Sequence, residues 1–422
     1  MVVVAAFVVV VVAVAVVSRH LVDGPITPPA VMIVAGLATG LVTGSTGPDT
    51  QTTILIAEVT LSLVLFMDAS RIAPRMLRHG TSLPSRLLGI GLPVSIALTT
   101  ALGMVVLDLG LGPALLLGGA LSATDAALAG IIVESDTLPR RLRQAVNVES
   151  GLNDGLATPV VTIAIAITLG AVQELEGVVG EFLVPVGGAV ALGGVTGALG
   201  GWLLRSARQR DIVDPTWAQL GTLGIIGVAI VVSMALGVIA FVAAFVAGLA
   251  FRACMGPHAD EVSDHTKDTA QFLTAGAFFL FGLLLPSLGL GGVTMGEVVV
   301  AVLSLTVVRM AAVALAMWGT EDAWQTVAMI GWVGPRGLAT VLFGLIAIEE
   351  AGAAVPRPAV WVLVLAVFGS VAAHGITAAP LTRRYAHWLE GHTAEAAQGP
   401  GRPVDPMADP AMADLEVGRT RR

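Results

Sequence analysis

The sequence predicts an all-α polytopic membrane protein with about 13 transmembrane helices. Hydrophobic residues make up 55% of the 422 residues, charged residues make up 12%, and the mean hydropathy is +0.88. Soluble domains carry about 25% charged residues, so this composition excludes an ordinary soluble protein. Two patterns support the helix count. Apolar segments recur at membrane-spanning length, and the basic residues between them fall almost entirely on one side of the membrane.

Apolar stretches of about 17–25 residues, long enough to cross a bilayer, occur thirteen times and are numbered spans 1 to 13. They cover residues 1–17, 28–47, 51–68, 87–107, 111–133, 148–171, 181–204, 216–235, 237–255, 270–289, 296–318, 324–348 and 359–381. Met1–Val17 has no basic residue ahead of it and no clear cleavage site, which favours a membrane helix over a signal peptide. The membrane domain is predicted at residues 1–385, followed by a disordered cytoplasmic tail at 386–422.

The basic residues of the loops give the orientation of the chain. The side of the membrane that holds only Arg357 also carries Glu174, Glu176 and Glu181. By the positive-inside rule the other side is cytoplasmic, which places the N-terminus outside and the C-terminus inside. The cytoplasmic basic residues are Arg19, Arg71, Arg75, Arg78, Arg86, Arg140, Arg141, Arg143, Arg205, Arg208, Arg210, Arg252, Lys267, Arg383 and Arg384.

Two spans are interrupted near their middle by short polar segments, Ser122–Asp125 in span 5 and Gly334–Gly337 in span 12. Paired discontinuous helices in corresponding places of two halves are typical of secondary transporters. Spans 5 and 12 are seven spans apart. Because this number is odd, the two spans cross the membrane in opposite directions. Spans 1–6 and 8–13 are therefore predicted to form an inverted repeat, with span 7 as connector. Interrupted helices free backbone carbonyls, and their ends carry partial charges that Asp125 and Arg336 can compensate.

Several ionisable side chains are predicted at membrane depth, where each costs roughly 2.5–3.5 kcal/mol at a helix centre. They are Asp125, Glu149, Asp154, Arg309 and Arg336. This cost requires them to converge and pair or to face water. Three carboxylates against two arginines leave one carboxylate without a fixed counter-charge. Such a group suits a site that holds either a proton or a monovalent cation, since hard cations bind oxygen ligands.

Span 6 presents two neighbouring polar stripes. Ser150 and Asp154 are four residues apart and share one helix face, and Glu149 and Asn153 share the adjacent face. The first stripe can offer oxygens to a small cation, and the second can meet a positive group on another helix.

At these residues the chain resembles the monovalent cation:proton antiporter-1 family, the sodium/proton exchangers. Four motifs carry the resemblance, and with the thirteen-helix plan it extends to about residue 385. The element Glu-Ser-x-x-Asn-Asp is specific, and the other three are less so alone. The motifs are Ser122-Ala-Thr-Asp125-Ala-Ala, Glu149-Ser-Gly-Leu-Asn153-Asp154-Gly155, Arg309 within Val-Val-Arg-Met, and Gly334-Pro-Arg-Gly337.

The resemblance implies roles for the residues of the site. Asp154 is expected to carry the ion and the proton, and Asn153 to hold the broken helices. Thr124 and Asp125 are expected to form the cation site together with Ser150. The resemblance further implies a homodimer in the plasma membrane, surrounded by lipid, with no nucleic acid partner and no resident cofactor. The transported species are Na⁺ or Li⁺ and H⁺.

Glu149 is expected to pair with an arginine, for which Arg336 is the favoured partner and Arg309 the second. The family often has Asp-Pro where this chain has Asp125-Ala126, which changes the expected shape of the span 5 break. Asp68 takes the place of a longer Glu found in many members at the end of span 3. It is either a ligand in the entrance funnel or a solvated helix end, and the second interpretation is slightly favoured.

Other ionisable groups leave alternatives open. Glu58 faces either a dimer interface or the funnel. His374, four residues after Ser370, is either part of a Ser/His dyad or, as we favour, a core histidine. The acidic and histidine-containing loop 256–268 either senses pH or is simply solvated. The single cysteine, Cys254, excludes a disulfide framework and a cysteine-based metal site.

The sequence therefore predicts a sodium (lithium)/proton antiporter that is not an enzyme. Because Asn is neutral and Arg stays protonated, exchange on one carboxylate is expected to be one-for-one and electroneutral. The alternatives are a potassium/proton or broad monovalent cation/proton antiporter, and then a solute:sodium symporter. A remote alternative is an intramembrane hydrolase that uses Ser150 with His374, or Asp125 with Asp154.

Overall fold

The structure is a computed structural model that describes residues 1–22, 26–44, 50–71, 83–125, 137–170, 184–288 and 292–396, together with residues 48 and 135. Within these ranges the chain forms fourteen helices and no strand. The helices are α1 (Val2–Val22), α2 (Pro28–Thr43), α3 (Thr50–Arg71), α4 (Leu83–Leu107), α5 (Leu111–Ser122), α6 (Arg140–Thr168), α7 (Val184–Gln209), α8 (Pro215–Leu236), α9 (Ala240–Met255), α10 (Ala259–Leu284), α11 (Met295–Ala316), α12 (Trp324–Trp332), α13 (Leu338–Ala351) and α14 (Arg357–Ala396).

The predicted fold class is confirmed, because every one of the thirteen spans contains at least one of these helices. Six helices are long and apolar enough to cross a membrane by themselves, namely α4, α6, α7, α8, α11 and α14. Shorter apolar helices occur in α1, α2, α5, α9, α10 and α13. Helices α1 to α11 carry the numbers of their spans, span 12 corresponds to α12 and α13, and span 13 corresponds to α14.

Among the described helices, α10 and α14 extend farthest beyond their apolar spans. The segment 256–268, predicted as a loop, instead forms a 3₁₀ turn at Gly256–His258 and the beginning of α10. Similarly, α14 continues to Ala396, so the predicted tail boundary at 386 lies inside this helix, and residues 397–422 lie outside the described ranges. Hydropathy detects only the part of a helix that is apolar, and a polar extension of the same helix is invisible to it.

The break predicted in span 12 is present. Helix α12 ends at Trp332, and α13 begins at Leu338 after a non-helical segment at 333–337. Pro335 explains this interruption, since it lacks an amide hydrogen and disfavours helical backbone at the preceding residue.

Span 5 is interrupted at the predicted place. Helix α5 ends at Ser122, and Ala123 has extended backbone, with φ −62° and ψ 135°. Residues 126–134, which make up the second half of this span, lie outside the described ranges.

Close helix contacts follow the predicted inverted repeat. In α2, a Cβ on Gly36 would strike the Phe279 carbonyl oxygen of α10, and a Cβ on Gly40 would lie 2.7 Å from the carbonyl oxygen one turn further along. In α9, a Cβ on Gly248 would strike the Phe66 carbonyl oxygen of α3. In the inverted repeat, α2 corresponds to α9 and α3 corresponds to α10. The close contact of α2 with α10 and that of α9 with α3 are therefore equivalent, and in both a glycine allows the backbones to approach.

A second pair of equivalents involves π-helical turns. Leu87–Gly91 in α4 and Ser304–Val308 in α11 are both π-helical, and these helices are also seven spans apart. The two helices pack together, since a Cβ on Gly91 would lie 3.5 Å from the Cβ of Ala316. Single π turns inside α-helices often occur at functional sites, and the turn in α11 ends immediately before Arg309.

Candidate functional site

The two interrupted segments meet through Asp125. Its backbone N–H donates to the Pro335 carbonyl oxygen at 2.8 Å, and its Oδ2 accepts from the Leu338 N–H at 2.9 Å. Leu338 is the first residue of α13, so the carboxylate lies at the positive end of that half-helix. Gly337 makes this approach possible, because a Cβ there would strike the Asp125 carboxylate.

Arg336 lies at the opposite, negative ends of two half-helices. Its Nη1 donates to the carbonyl oxygen of Ala123, just after α5, at 3.3 Å, and to that of Gly334, just after α12, at 3.1 Å. The side chain is only 1% exposed. A buried cation here compensates carbonyl groups that the breaks leave without helical partners.

Glu149 pairs with Arg309. The prediction that favoured Arg336 as its partner was therefore wrong. The contact is bidentate, with Nη1–Oε1 at 2.5 Å and Nη2–Oε2 at 2.9 Å, and both side chains are buried. Arg309 Nη2 also lies 3.4 Å from the Val333 carbonyl oxygen at the end of α12. The physical reason is that the guanidinium of Arg336 is already occupied by carbonyl oxygens, whereas α11 brings Arg309 directly opposite α6.

Asn153 fastens the end of α5 to α6. Its Nδ2 donates to Thr124 Oγ1 at 2.6 Å, and its Oδ1 accepts from the Thr124 backbone N–H at 3.3 Å. Ser150 Oγ lies 3.0 Å from the same Thr124 hydroxyl. The three side chains are buried, so they form a rigid polar cluster at the break in span 5.

Asp154 differs from the other buried carboxylates of the site. Its side chain is 6% exposed, and its Oδ1 has no hydrogen-bond partner within the described part of the chain. Its charged neighbours are Asp125, Asp68 and Arg336. Glu149 has its arginine and Asp125 has a helix end, so the carboxylate left over in the charge count is Asp154. A buried oxygen without a donor is rare in proteins and requires an explanation.

Asp68 lies in the last turn of α3, which ends at Arg71, and its side chain is half-buried. A Cβ on Gly151 of α6 would lie 3.2 Å from the Asp68 Cβ. This proximity to α6 favours the alternative of a ligand in the entrance funnel, and the role of Asp68 stays a prediction. The described residues contain no group of three or more His, Cys, Asp or Glu side chains arranged to hold a metal ion. The other oxygens of the cluster are the hydroxyl groups of Thr124, just after α5, and Ser150 of α6.

Glu58 lines a cavity of about 330 Å³ near the far end of α6. Phe241 and Phe343 also line it and form an edge-to-face pair with ring centroids 6.5 Å apart. One turn along α9, the ring of Phe245 lies against Gly155, the residue after Asp154. Aromatic side chains thus lie between this cavity and the buried carboxylate. Glu58 therefore faces a cavity, and its role in the dimer interface or in the funnel stays a prediction.

His374 connects both sides of the break in span 12, a role that sequence reasoning missed. Its Nε2 lies 2.9 Å from the Trp332 carbonyl oxygen, and its Nδ1 lies 3.2 Å from Ser370 Oγ, which accepts from the Arg336 backbone N–H at 2.6 Å. Nδ1 also lies 2.9 Å from the Ser370 carbonyl oxygen. A neutral imidazole protonated on Nε2 donates to the Trp332 carbonyl oxygen and accepts from the Ser370 hydroxyl group through Nδ1. Two features of the sequence could have predicted this role. Ser370 and His374 are spaced to share one helix face, and a helix break leaves backbone groups that need hydrogen-bond partners.

Replacing His374 by alanine is expected to lower the unfolding free energy by about 1–3 kcal/mol, because the Trp332 carbonyl loses its donor inside the protein. The measurement is the Tm of the detergent-solubilised protein. His387 on the same helix provides a control, since its side chain is 82% exposed and pairs only with Glu390. His387→Ala is expected to melt like wild type. Equal Tm values for both variants would contradict the role assigned to His374.

A comparison with family models matches residues 4–384 to the family described as "Sodium/hydrogen exchanger, transmembrane". Among curated proteins, the K(+)/H(+) antiporter NhaP2 of Shewanella oneidensis is 26% identical over 327 residues, which are 73% of this chain and 55% of that protein. NhaP2 of Shewanella sp. strain ANA-3 is 25% identical over 325 residues, with the same coverage. The chain spans about half the length of these curated relatives.

Solved structures with a similar fold include the sodium proton antiporter MjNhaP1 from Methanocaldococcus jannaschii at pH 8. The TM-score is 0.71 at 16% identity, over 91% of this chain and 97% of that chain. An electron-microscopy map of MjNhaP1 gives a TM-score of 0.66 at 17% identity, over 95% and 98% of the two chains. At these identities the similarity establishes the fold alone. The family itself follows from the match over residues 4–384, and the chain therefore belongs to the sodium/hydrogen exchanger family.

Proposed function

We propose that this protein exchanges a monovalent cation for protons across the cell membrane by alternating access, and that Asp154 carries either the cation or the proton. The observation behind this proposal is the buried Asp154 carboxylate, whose Oδ1 has no donor among the described residues. A proton or a small cation supplies what that oxygen lacks. Since both compete for one carboxylate, binding of one displaces the other.

The remaining charges of the site support this role because they are already balanced. Glu149 and Arg309 neutralise one another, and neither needs a transported ion. Asp125 accepts from the first amide of α13, and Arg336 donates to two carbonyl groups. Glu149, Arg309 and Arg336 are assigned the task of holding the broken helices in position, and Asp125 is assigned both to the start of α13 and to the cation site.

The proposed ligands of the cation are side-chain oxygens on the same face of α6 as the Asp154 carboxylate and at the end of α5. Ser150 and Thr124 offer hydroxyl groups 3.0 Å apart, and Asn153 fixes Thr124 in place. Asp125 contributes the negative charge of its carboxylate, and Asp68 is assigned to the approach, where it lies against Gly151. Hydroxyl and carboxylate oxygens are the ligands that hard monovalent cations take.

Sodium or lithium is the proposed cation, and potassium is the alternative. The MjNhaP1 structures are named for a sodium proton antiporter, whereas the NhaP2 relatives are named K(+)/H(+) antiporters. Both names fit a site with one exchangeable carboxylate.

The proposed location is the cell membrane, with the N-terminus outside and the C-terminus cytoplasmic, and the proposed assembly is a homodimer.

A hydrolase is disfavoured by the contacts of the candidate groups. Ser150 is hydrogen-bonded to Thr124, whereas both ring nitrogens of His374 face Ser370 and Trp332. No Ser150–His374 hydrogen bond occurs in the described part of the chain. In the proposed aspartyl dyad, Asp125 is already engaged by the α13 amide.

The experiment is proton release from proteoliposomes that contain a preformed pH gradient, acidic inside, followed with a pH-sensitive dye. Adding sodium or lithium chloride is expected to dissipate the gradient without any organic solute, whereas choline chloride has no effect. A response to potassium alone would select the potassium/proton alternative. Dissipation only in the presence of an organic solute would indicate a symporter, and no response to any cation would contradict cation/proton exchange.

A further inference from the structure

A groove lined by aromatic side chains is the strongest unassigned feature of the described part of the molecule. It lies between α11, α12 and α14 and has a volume of about 620 Å³. Its walls include three tryptophans, one tyrosine, two methionines and one arginine. These residues are Met310, Trp324, Met329, Trp332, Arg384, Tyr385 and Trp388.

The aromatic walls present apolar surface to the groove because their polar atoms are already used inside the protein. Trp332 Nε1 donates to Thr377 Oγ1 at 2.9 Å, and the Tyr385 hydroxyl lies 2.8 Å from Thr326 Oγ1. Tyr385 and Trp388 stack with ring centroids 5.5 Å apart and an interplanar angle of 28°. The groove therefore suits an apolar chain.

One cation lies at the edge of these apolar walls. Arg384 is exposed and has no ion-pair or hydrogen-bond partner among the described residues. It stands next to Arg383, on the side of the membrane where basic residues collect, which the positive-inside rule makes cytoplasmic. A free guanidinium at this place suits a phosphate group, which arginine binds in bidentate fashion.

We infer that the groove binds a phospholipid of the cytoplasmic leaflet that has a net anionic headgroup. Its acyl chain lies between the tryptophan side chains, and its phosphate meets Arg384. Tryptophan and tyrosine prefer the headgroup level of membranes, and basic pockets between transmembrane helices bind anionic headgroups. A zwitterionic lipid offers the same chain but less net charge to the free arginine.

The bound lipid contacts the elements that carry the ion site. Trp332 is the last residue of α12, and its carbonyl oxygen faces His374. Met310 directly follows Arg309, which pairs with Glu149. A chain between Met310 and Trp332 therefore holds α12 against α11 beside the break. The lipid is expected to stabilise the folded protein.

The experiment is thermal melting of the purified full-length protein in detergent, with phosphatidylglycerol or phosphatidylcholine added. Phosphatidylglycerol is expected to raise the Tm of wild type more than phosphatidylcholine does. Arg384→Gln is expected to need about tenfold or more phosphatidylglycerol for the same shift, as loss of a charge-assisted hydrogen bond implies. Arg383→Gln is the matched control, since Arg383 is exposed and does not line the groove, and it is expected to respond like wild type.

Several outcomes would overturn the inference. Equal Tm shifts with the two lipids would mean that the headgroup charge is not recognised. An unchanged phosphatidylglycerol response in Arg384→Gln, or an equal loss in Arg383→Gln, would place the lipid elsewhere. Stabilisation by soluble glycerol phosphate to the same extent would mean that the apolar walls are not used. The Tm shift reports lipid binding to the folded protein without any transport measurement. The outcome therefore does not depend on whether the proposed cation/proton exchange is correct.

Discussion

Asp154→Asn is expected to abolish cation-driven proton flux, down to the rate of protein-free liposomes, while the protein still inserts and folds. Asparagine keeps the shape of the side chain but can neither release a proton nor neutralise a bound cation. The measurement is dye-reported proton release from proteoliposomes with equal amounts of incorporated protein. Thermal melting of the same preparation verifies that the variant is folded.

Asp108→Asn provides a matched control for this substitution. Asp108 is exposed and ends α4 with φ 52°, a left-handed conformation that asparagine also adopts readily. The control is expected to transport like wild type. Transport at wild-type rates by a folded Asp154→Asn variant would refute the assignment of Asp154 as the carrier.

Glu149→Gln is expected to destabilise the protein by about 3–5 kcal/mol, because it leaves the buried Arg309 guanidinium without its counter-charge. The double variant Glu149→Gln/Arg309→Met removes both charges and is expected to be more stable than Glu149→Gln alone. The measurement is a double-mutant cycle of melting curves in detergent.

A second double variant identifies the partner of Glu149. Because Arg336 contacts the carbonyls of Ala123 and Gly334, Glu149→Gln/Arg336→Met is expected to be no more stable than Glu149→Gln. Rescue by the Arg336 substitution, without rescue by the Arg309 substitution, would mean that the pairing is assigned to the wrong arginine.

Much of the architecture could be predicted because the relevant signals are local in the chain. The segment Gly334-Pro335-Arg336-Gly337 predicts a helix end within an apolar span, because proline lacks an amide hydrogen and glycine is a poor helix former. The cost of burying charge required the five ionisable groups to converge. Asp125 and Arg336 contact both breaks, and Arg309 reaches the end of α12. The unpaired carboxylate followed from a count of charges, and the geometry then identified it as Asp154 rather than Asp125.

The errors concern rotation around helix axes and polar helix ends. Arg309 and Arg336 are both predicted at membrane depth, and hydropathy does not give the direction in which a side chain points from its helix. A π turn at Ser304–Val308 precedes Arg309 and shifts the direction of the residues that follow it. The helical extent of α14 was missed because its last residues are polar, and hydropathy gives no helix signal beyond the apolar part of a span.

The most direct test of one-for-one exchange on a single carboxylate is the point of zero net flux. Proteoliposomes are prepared with equal sodium and proton concentration ratios across the membrane, and a potential is imposed with a thiocyanate gradient, which avoids potassium as a possible substrate. Exchange of one cation for one proton moves no net charge, so no pH change is expected at any imposed potential. A pH change that follows the imposed potential, or a zero-flux point away from equal ratios, would contradict the proposed mechanism.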